Sequence, residues 1–270
     1  MRETSTHPLL NSVEQIGRST VNLIEEAGYY FALLVEALVW IIAGSFIKQP
    51  VRLPSIFTQM MSIGIAACPI VFILSVSIGV MLAIQMIYNL KIFGAESQVV
   101  LGVALSVTRE FGPLITGVLI AGRTGSSLAA KLGTMQVNQE IDALRVMGIN
   151  PVRYLVSPAL LAMMIMVPTL TFFSDLAGLL GGAIYTRLEL GLGFDAYLDR
   201  TISALVVGDV VQGLVKSLIF ALIITLVGVS NGFSVTGGAE GVGKATTRSV
   251  VLSISYIVIA DMIFTFFLNR

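Results

Sequence analysis

The stretch from Leu53 to Leu90 contains no charged residue, and this run constrains the fold more than any other feature of the sequence. A helix needs about 20 mostly apolar residues to cross a bilayer, because its backbone polar groups must be bonded within the protein there. Of the 270 residues, 56% are hydrophobic and 12% are charged. The sequence therefore predicts an all-α membrane protein, a polytopic helix bundle.

Four further apolar runs are long enough to span a membrane. Together with the first they predict five transmembrane helices, at about residues 56–88, 97–121, 154–186, 209–233 and 249–268. A sixth candidate, residues 28–47, carries Glu36 at its centre, and an unpaired carboxylate is costly in hydrocarbon. We therefore expect an amino-terminal interfacial helical region over residues 1–55 and a transmembrane domain over residues 56–270, with a sixth span as the alternative.

The charges of the loops predict the orientation. If the amino terminus is cytoplasmic, the inward segments carry ten Lys and Arg residues, over residues 1–55, 122–153 and 234–248. The outward segments then carry four, over residues 89–98, 187–208 and 269–270. Because cytoplasmic loops are enriched in Lys and Arg, we expect the amino terminus inside and the carboxyl terminus outside.

Several classes of function are excluded by composition. The formal net charge is zero, which gives no basic field for nucleic acid. His7 is the only histidine and Cys68 the only cysteine, so neither a metal site nor a disulfide framework is expected. Catalysis by a Ser/His/Asp triad is equally unexpected, and the chain is predicted not to be an enzyme.

Residues 138–149 interrupt the apolar sequence with a short, charged stretch that has helical periodicity. Its apolar residues share one face of a helix, at Val137, Ile141, Leu144 and Met147. Asn138 is the expected N-cap, Gly148 ends the helix, and Pro151 prevents its continuation. Such a helix either rests on the membrane surface or docks a cytoplasmic partner.

One stretch resembles a nucleotide-binding motif. In "GAEGVGKAT", Gly238, Gly243 and Lys244 fit the pattern G-x-x-x-x-G-K, but Ala245 replaces the Ser or Thr that binds magnesium. The preceding segment is a predicted membrane helix, whereas this motif requires a strand there. We interpret the match as chance, so ATP would be hydrolysed on another chain.

Small residues recur at steps of four on two of the predicted spans. One stripe consists of Gly117, Ala121, Gly125, Ala129 and Gly133, and a second consists of Ser75, Gly79 and Ala83. Small residues let two helix backbones approach closely in a membrane. These stripes therefore predict helix packing within the chain, with a seam between two copies as the alternative.

Charged residues inside the spans are costly and usually mark function or a compensating pair. Two positive and two negative charges sum to zero and predict one buried cluster, formed by Arg109, Glu110, Lys216 and Asp261. Asp175 in the third span is a further candidate, without an assigned partner. The cluster is either a structural clamp or part of a transport path.

Three polar motifs, in this order, carry a resemblance to a known family. They are "TREFGPLITGVLIAGR", the adjoining "AGRTGSSLAAKLGTMQVNQEIDALRVMGINP" and, near the carboxyl terminus, "GVGKATTRSVV". The chain resembles the MlaE-type permeases of MCE-associated ABC transporters over most of residues 50–270. The four charged positions of the predicted cluster match polar positions of that family.

The resemblance implies a lipid transporter in the bacterial inner membrane. Two copies of the permease would assemble with two cytoplasmic ATPases, which bind ATP and magnesium, and with a periplasmic MCE-domain protein. The permease itself would carry no cofactor. Residues 138–149 would be the coupling helix that contacts the ATPase, through Glu140, Ile141, Asp142, Leu144, Arg145 and Met147. The alternative function is a proton-coupled transporter working alone, with Glu110, Asp175 and Asp261 as proton relays.

Overall fold

A computed structural model describes residues 8–44 and 53–268 of the chain. Within these ranges the protein is a helix bundle with no β-strand, which confirms the predicted fold class. The helices are α1 (Pro8–Ala43), α2 (Leu53–Gly64), α3 (Cys68–Lys91), α4 (Val99–Ser106), α5 (Gly112–Ile120), α6 (Ser126–Val137), α7 (Glu140–Val146), α8 (Ser157–Leu190), α9 (Phe194–Ala204), α10 (Val207–Phe233) and α11 (Gly238–Leu268).

The first predicted span is two helices rather than one. A short turn separates α2 from α3, and Pro69 lies in the first turn of α3. Proline has no backbone N–H, and its ring clashes with the carbonyl four residues earlier, so a continuous helix is disfavoured at this point. Together the two helices form an apolar segment of 39 residues, Leu53–Lys91, which is longer than one straight crossing of a bilayer requires.

A continuous helical rod runs from Glu96 to Val137 and contains α4, α5 and α6. These helices are joined by two π-helical segments, Val107–Phe111 and Ala121–Gly125, and a third π-helical segment, Val152–Val156, precedes α8. Each of the three segments contains one arginine, at Arg109, Arg123 and Arg153. Such π-helical turns are rare in proteins, and those that occur often lie at functional sites.

The two stripes of small residues pack inside the chain. A β-carbon at Gly79 would overlap the carbonyl group of Gly178 on α8, so α3 and α8 touch through their backbones. On the rod, Gly117 faces Phe220 and Gly125 faces Ile224, both on α10. The stripes thus serve helix packing within one copy of the chain, and the alternative of a seam between two copies is not needed to explain them.

Six segments of the described chain are long and apolar enough to cross a membrane by length and composition. The first of them, Ile24–Ala43, belongs to α1 and includes most of the predicted sixth candidate. Length and composition therefore do not separate a spanning α1 from an interfacial one, and the count of five spans stays a prediction.

The contacts of α1 bear on this question. Glu26 pairs with Arg248 at 3.3 Å, and the Arg153 guanidinium lies 5.4 Å from the ring centre of Trp40. Glu26 and Trp40 are about 21 Å apart along a helix, at about 1.5 Å per residue. Phe233 borders one cavity with Glu26 and Arg248 and another with Arg145 of α7. Both contacts of α1 are therefore at the end of the bundle that carries α7. This geometry favours a helix that lies across that end.

Candidate functional site

Lys216 is the centre of a buried polar network between the rod, α10 and α11. Its side chain is fully buried, and its Nζ donates to Glu110 Oε2 at 2.6 Å and to Thr265 Oγ1 at 2.9 Å. The same Nζ lies 3.0 Å from Asp261 Oδ1. The Thr265 hydroxyl also lies within 3.1 Å of both carboxylate oxygens of Glu110. Three of the four predicted cluster residues therefore meet, as expected for charges withdrawn from water.

Arg109, the fourth residue of the predicted cluster, pairs elsewhere. Its Nη2 and Nε lie 2.6 and 2.8 Å from Asp209 Oδ1, and the other oxygen of Asp209 accepts the Val206 N–H at 2.9 Å. The prediction of one cluster was wrong because neighbouring residues of a helix point about 100° apart, so Arg109 and Glu110 face different helices. Asp209 was missed because it was taken only as the beginning of a span, although an acidic residue in the first turn of a helix commonly caps it.

Asp175 lies near this region without a partner in the described part of the chain. It is buried on α8, and neither of its carboxyl oxygens has a hydrogen bond there. A β-carbon at Gly112 would overlap this carboxyl group, so the rod passes directly over it. The neighbouring Ser174 hydroxyl is 2.7 Å from that of Ser75, which joins α8 to α3 by a separate contact.

The predicted coupling helix is present as α7 but is shorter than residues 138–149. Gln139 adopts a left-handed conformation with φ of 59°, and helix α7 begins after it. Asn138 is not the N-cap, because its amide donates to the Glu140 side chain at 3.3 Å instead. The predicted end is correct: Gly148 has φ of 72°, where glycine is favoured, and its N–H bonds to the Arg145 carbonyl.

The apolar residues of α7 divide into a buried and an exposed group. Ile141 is 0% exposed and Leu144 is also buried within the chain, whereas Val146 is 89% and Met147 63% exposed. Ile141 and Leu144 therefore hold α7 to its own chain, and the apolar surface available to a partner is formed by Val146 and Met147. The polar residues of this helix, Glu140, Asp142 and Arg145, are exposed, with Arg145 and Asp142 paired at 3.1 Å.

Asn150 fixes the segment that follows α7. Its Oδ1 accepts the N–H groups of Val152 and Arg153 at 2.8 and 3.2 Å, and its Nδ2 donates to Glu36 Oε1 at 2.8 Å. One side chain thus joins α7, the beginning of the next helix and α1. Sequence reasoning treated Glu36 as unpaired and did not single out Asn150, although Asn followed by Pro151 is typical of a helix start.

The stretch that resembles a nucleotide-binding motif is helical. Gly238, Gly243 and Lys244 all lie in α11, and the Lys244 Nζ pairs with Glu240 one turn earlier at 2.7 Å. A phosphate-binding loop instead turns its backbone N–H groups toward the ligand between a strand and a helix. Gly238 begins α11 with φ of 71°, and Gly243 and Lys244 have the geometry of an ordinary exposed helix.

Comparison with known proteins identifies the family. Residues 56–267 match the family described as permease MlaE. A probable ABC transporter permease of Rickettsia typhi is 36% identical over 257 residues, which cover 95% of this chain and 97% of the relative. The intermembrane phospholipid transport system permease protein MlaE of Haemophilus influenzae is 28% identical over 263 residues, with the same two coverages. The chloroplastic protein TRIGALACTOSYLDIACYLGLYCEROL 1 of Arabidopsis thaliana is 33% identical over 231 residues, 84% of this chain and 66% of the relative. The chain is therefore a multi-pass ABC transporter permease that belongs to the MlaE family.

Proposed function

We propose that this permease moves phospholipid between two membranes, as a homodimer with two cytoplasmic ATPases and a periplasmic MCE-domain protein. The similarity to the phospholipid transport permease of Haemophilus influenzae over 95% of the chain supports the substrate class. The single observation that carries the coupling to an ATPase is the exposed apolar pair at the end of α7, Val146 and Met147. ATP and magnesium would bind to the partner, and this chain would be its non-catalytic subunit.

Helix α7 would transmit the movement of the ATPase to the bundle. Its buried residues Ile141 and Leu144 anchor it to the chain. Asn150, which follows α7, bonds to Glu36 on α1 and to the backbone of Val152, where the helical segment before α8 begins. A displacement of α7 would therefore move α1 and the beginning of α8 together. The exposed polar residues Glu140, Asp142 and Arg145 would set the orientation of docking, since charged groups at the rim contribute mainly to specificity.

The Lys216 network would hold the half of the rod that lies farther from α7. It joins the π-helical segment Val107–Phe111 to α10 through Lys216 and to α11 through Asp261 and Thr265. Because Lys216 pairs with both carboxylates, separating these helices would leave unpaired charge in a medium of low dielectric constant. We assign to the network the role of a clamp between the rod, α10 and α11.

The proton-coupled alternative has less support. An ABC permease takes its energy from ATP, and Glu110 and Asp261 are both engaged by Lys216 rather than arranged as successive proton acceptors. Asp175 is the one member of the predicted relay without a bond in the described residues. A pH gradient in place of ATP therefore should not drive transport.

Reconstitution tests the proposed function. Proteoliposomes that contain the permease, its ATPase and the MCE-domain protein should transfer fluorescent phospholipid to acceptor membranes only with ATP and magnesium. A matched preparation with an ATPase that binds but does not hydrolyse ATP should be inactive. Transfer driven by a pH gradient without ATP would contradict the proposal and favour the proton-coupled alternative.

Cysteine labelling tests the proposed orientation. In a Cys68→Ala background, a membrane-impermeant reagent added from the periplasmic side should label Asp195→Cys but not Thr4→Cys. The reason is that the positively charged loops are placed in the cytoplasm. Labelling of Thr4→Cys from the periplasm would place the amino terminus outside and make α1 a sixth span.

A further inference from the structure

A cavity of about 280 Å³ lies between α2, the rod and the beginning of α8, away from the Lys216 network and α7. Polar side chains that line it come from α2, at Ser55, Gln59 and Ser62, and from the rod, at Thr124, Ser127 and Lys131. The remaining lining is largely apolar and includes Ile63, Leu128 and Met163. Ligand pockets of proteins usually begin at about 300 Å³, so the space fits a small polar group rather than a whole lipid.

Lys131 gives this cavity a positive charge that no described carboxylate neutralises. Other exposed cations at the same end have carboxylate partners, namely Arg145 with Asp142, Lys244 with Glu240 and Arg248 with Glu26. Among the side chains that the structure describes, no carboxylate forms an ion pair with Lys131, nor with Arg123 earlier on the same rod. An ammonium group beside several hydroxyl and amide groups is a suitable arrangement for binding an oxyanion.

The position of the cavity along the bundle indicates which oxyanion it meets. Lys131 lies six residues before the end of α6, about 9 Å along the helix axis, and Ser55 lies in the first turn of α2. Both are at the end that carries α7, close to where the apolar segments begin. This is the depth at which the phosphates of a bilayer lie, and basic pockets between membrane helices bind lipid headgroups there.

We propose that this cavity binds the phosphate of a phospholipid headgroup from the leaflet next to α7. Lys131 pairs with the phosphate, the hydroxyl and amide groups of α2 and the rod bond to its oxygens, and the apolar lining contacts the first carbons of the acyl chains. The site requires only that the chain is embedded in a membrane. It depends neither on the ATPase nor on the transport path.

Binding by the purified full-length chain in a neutral detergent tests this site. The probes are dioleoyl phosphatidylglycerol, diacylglycerol with the same chains, and inorganic phosphate, with bound lipid counted by native mass spectrometry. Lys131→Gln should bind phosphatidylglycerol at least about tenfold more weakly, which corresponds to about 1.4 kcal/mol. The matched control is Lys91→Gln, because Lys91 is also exposed but lies at the opposite end of the bundle; its affinity should be unchanged.

A second variant tests the cavity without changing its charge. Ser127→Phe places a ring in the cavity at an exposed position, and it should weaken phosphatidylglycerol binding while leaving the thermal stability of the chain unchanged. Equal binding of diacylglycerol and phosphatidylglycerol, or wild-type affinity in Lys131→Gln, would overturn the proposal. Displacement of the lipid by millimolar inorganic phosphate would also overturn it, because the site would then belong to the free anion.

Discussion

The Lys216 network and helix α7 both use charged side chains, but in opposite surroundings. Lys216 is fully buried and has two carboxylate partners, whereas the Arg145 and Asp142 side chains of α7 are more than half exposed. A buried charge that loses its partner stays uncompensated, whereas water solvates the charges of an exposed ion pair once it is broken. The same residue types therefore form buried contacts between helices in the network, whereas on α7 they lie on an exposed surface.

The largest effect is expected at the centre of the network. Lys216→Ala leaves Glu110 and Asp261 beside each other without a cation, and breaking a buried ion pair in this way costs about 3–5 kcal/mol. We expect low abundance in the membrane, a lower thermal unfolding temperature in detergent, and loss of lipid transport. Val258→Ala, at an exposed position of α11, is the control and should behave like the wild type.

Two further variants sharpen this prediction. Replacing Lys216, Glu110 and Asp261 together by Met, Gln and Asn removes all charge and should lower stability less than Lys216→Ala alone. Exchanging the charges of Lys216 and Asp261 should not restore function, because Lys216→Asp would place a carboxylate on the side that now pairs with Glu110. Normal abundance of Lys216→Ala would show that the network is not a clamp.

The second largest effect concerns docking. A Val146→Asp, Met147→Asp variant should lose the ATPase during purification while the permease stays at normal abundance, because each apolar anchor contributes about 1–3 kcal/mol. Phe93→Asp, an equally exposed apolar position at the opposite end, should retain the ATPase. Leu144→Asp differs from both: since Leu144 is buried, we expect less permease in the membrane. If the double variant still co-purified with a stoichiometric amount of ATPase, α7 would not be the docking site.

A smaller effect is expected at the junction that joins α7 to α1. Asn150→Ala removes a hydrogen bond to Glu36 and the cap of the next helix, at a cost of about 1–2 kcal/mol. ATP hydrolysis by the purified complex should continue while lipid transfer falls, since the ATPase would be bound but less well coupled. Glu36→Gln, which can still accept the Asn150 N–H, is the matched control. Equal reductions in hydrolysis and transfer would contradict a coupling role.

The smallest effect is expected for the exposed ion pair of α7. Arg145→Ala breaks the contact with Asp142 but leaves both positions in water, so the free energy of unfolding should change by less than about 0.5 kcal/mol. Thermal unfolding in detergent measures this change. A loss of stability comparable to that of Lys216→Ala would mean that burial does not determine how much an ion pair contributes to the free energy of unfolding.

Much of the fold could be predicted because membrane helices are encoded locally. Absence of charge over about 20 residues is sufficient to locate a span, and Gly148 with Pro151 was sufficient to locate the end of α7. The buried charges were also visible, since charge inside an apolar run is rare. Grouping Lys216 with Glu110 and Asp261 followed from the cost of an unpaired charge inside a span, whereas the requirement of neutrality wrongly added Arg109.

The remaining features depend on packing between distant segments. Arg109 meets Asp209 one hundred residues later, and only the relative rotation of two helices selects this pair over Glu110 or Asp261. Likewise, Ile141 and Met147 lie at the two edges of the predicted apolar face, about 120° apart around an ideal helix, and the chain covers the first and leaves the second exposed. Helical periodicity defines a face and cannot say how much of that face the chain itself covers.

The π-helical segment Ala121–Gly125 also sets the rotational phase of the rod. In a straight α-helix each step of four residues drifts by about 40°, so the stripe from Gly117 to Gly133 would wind roughly 160° around the axis. Gly117, Gly125 and Gly133 nevertheless face Phe220, Ile224 and Val235, which follow one another along α10 and just beyond it. In a π-helical turn, whose hydrogen bonds span five residues, the chain rotates less per residue, and this reduces the drift of the stripe. Conversion of this one turn to α-helix would rotate the half that ends at α7 against the half that carries Glu110, with both halves remaining intact.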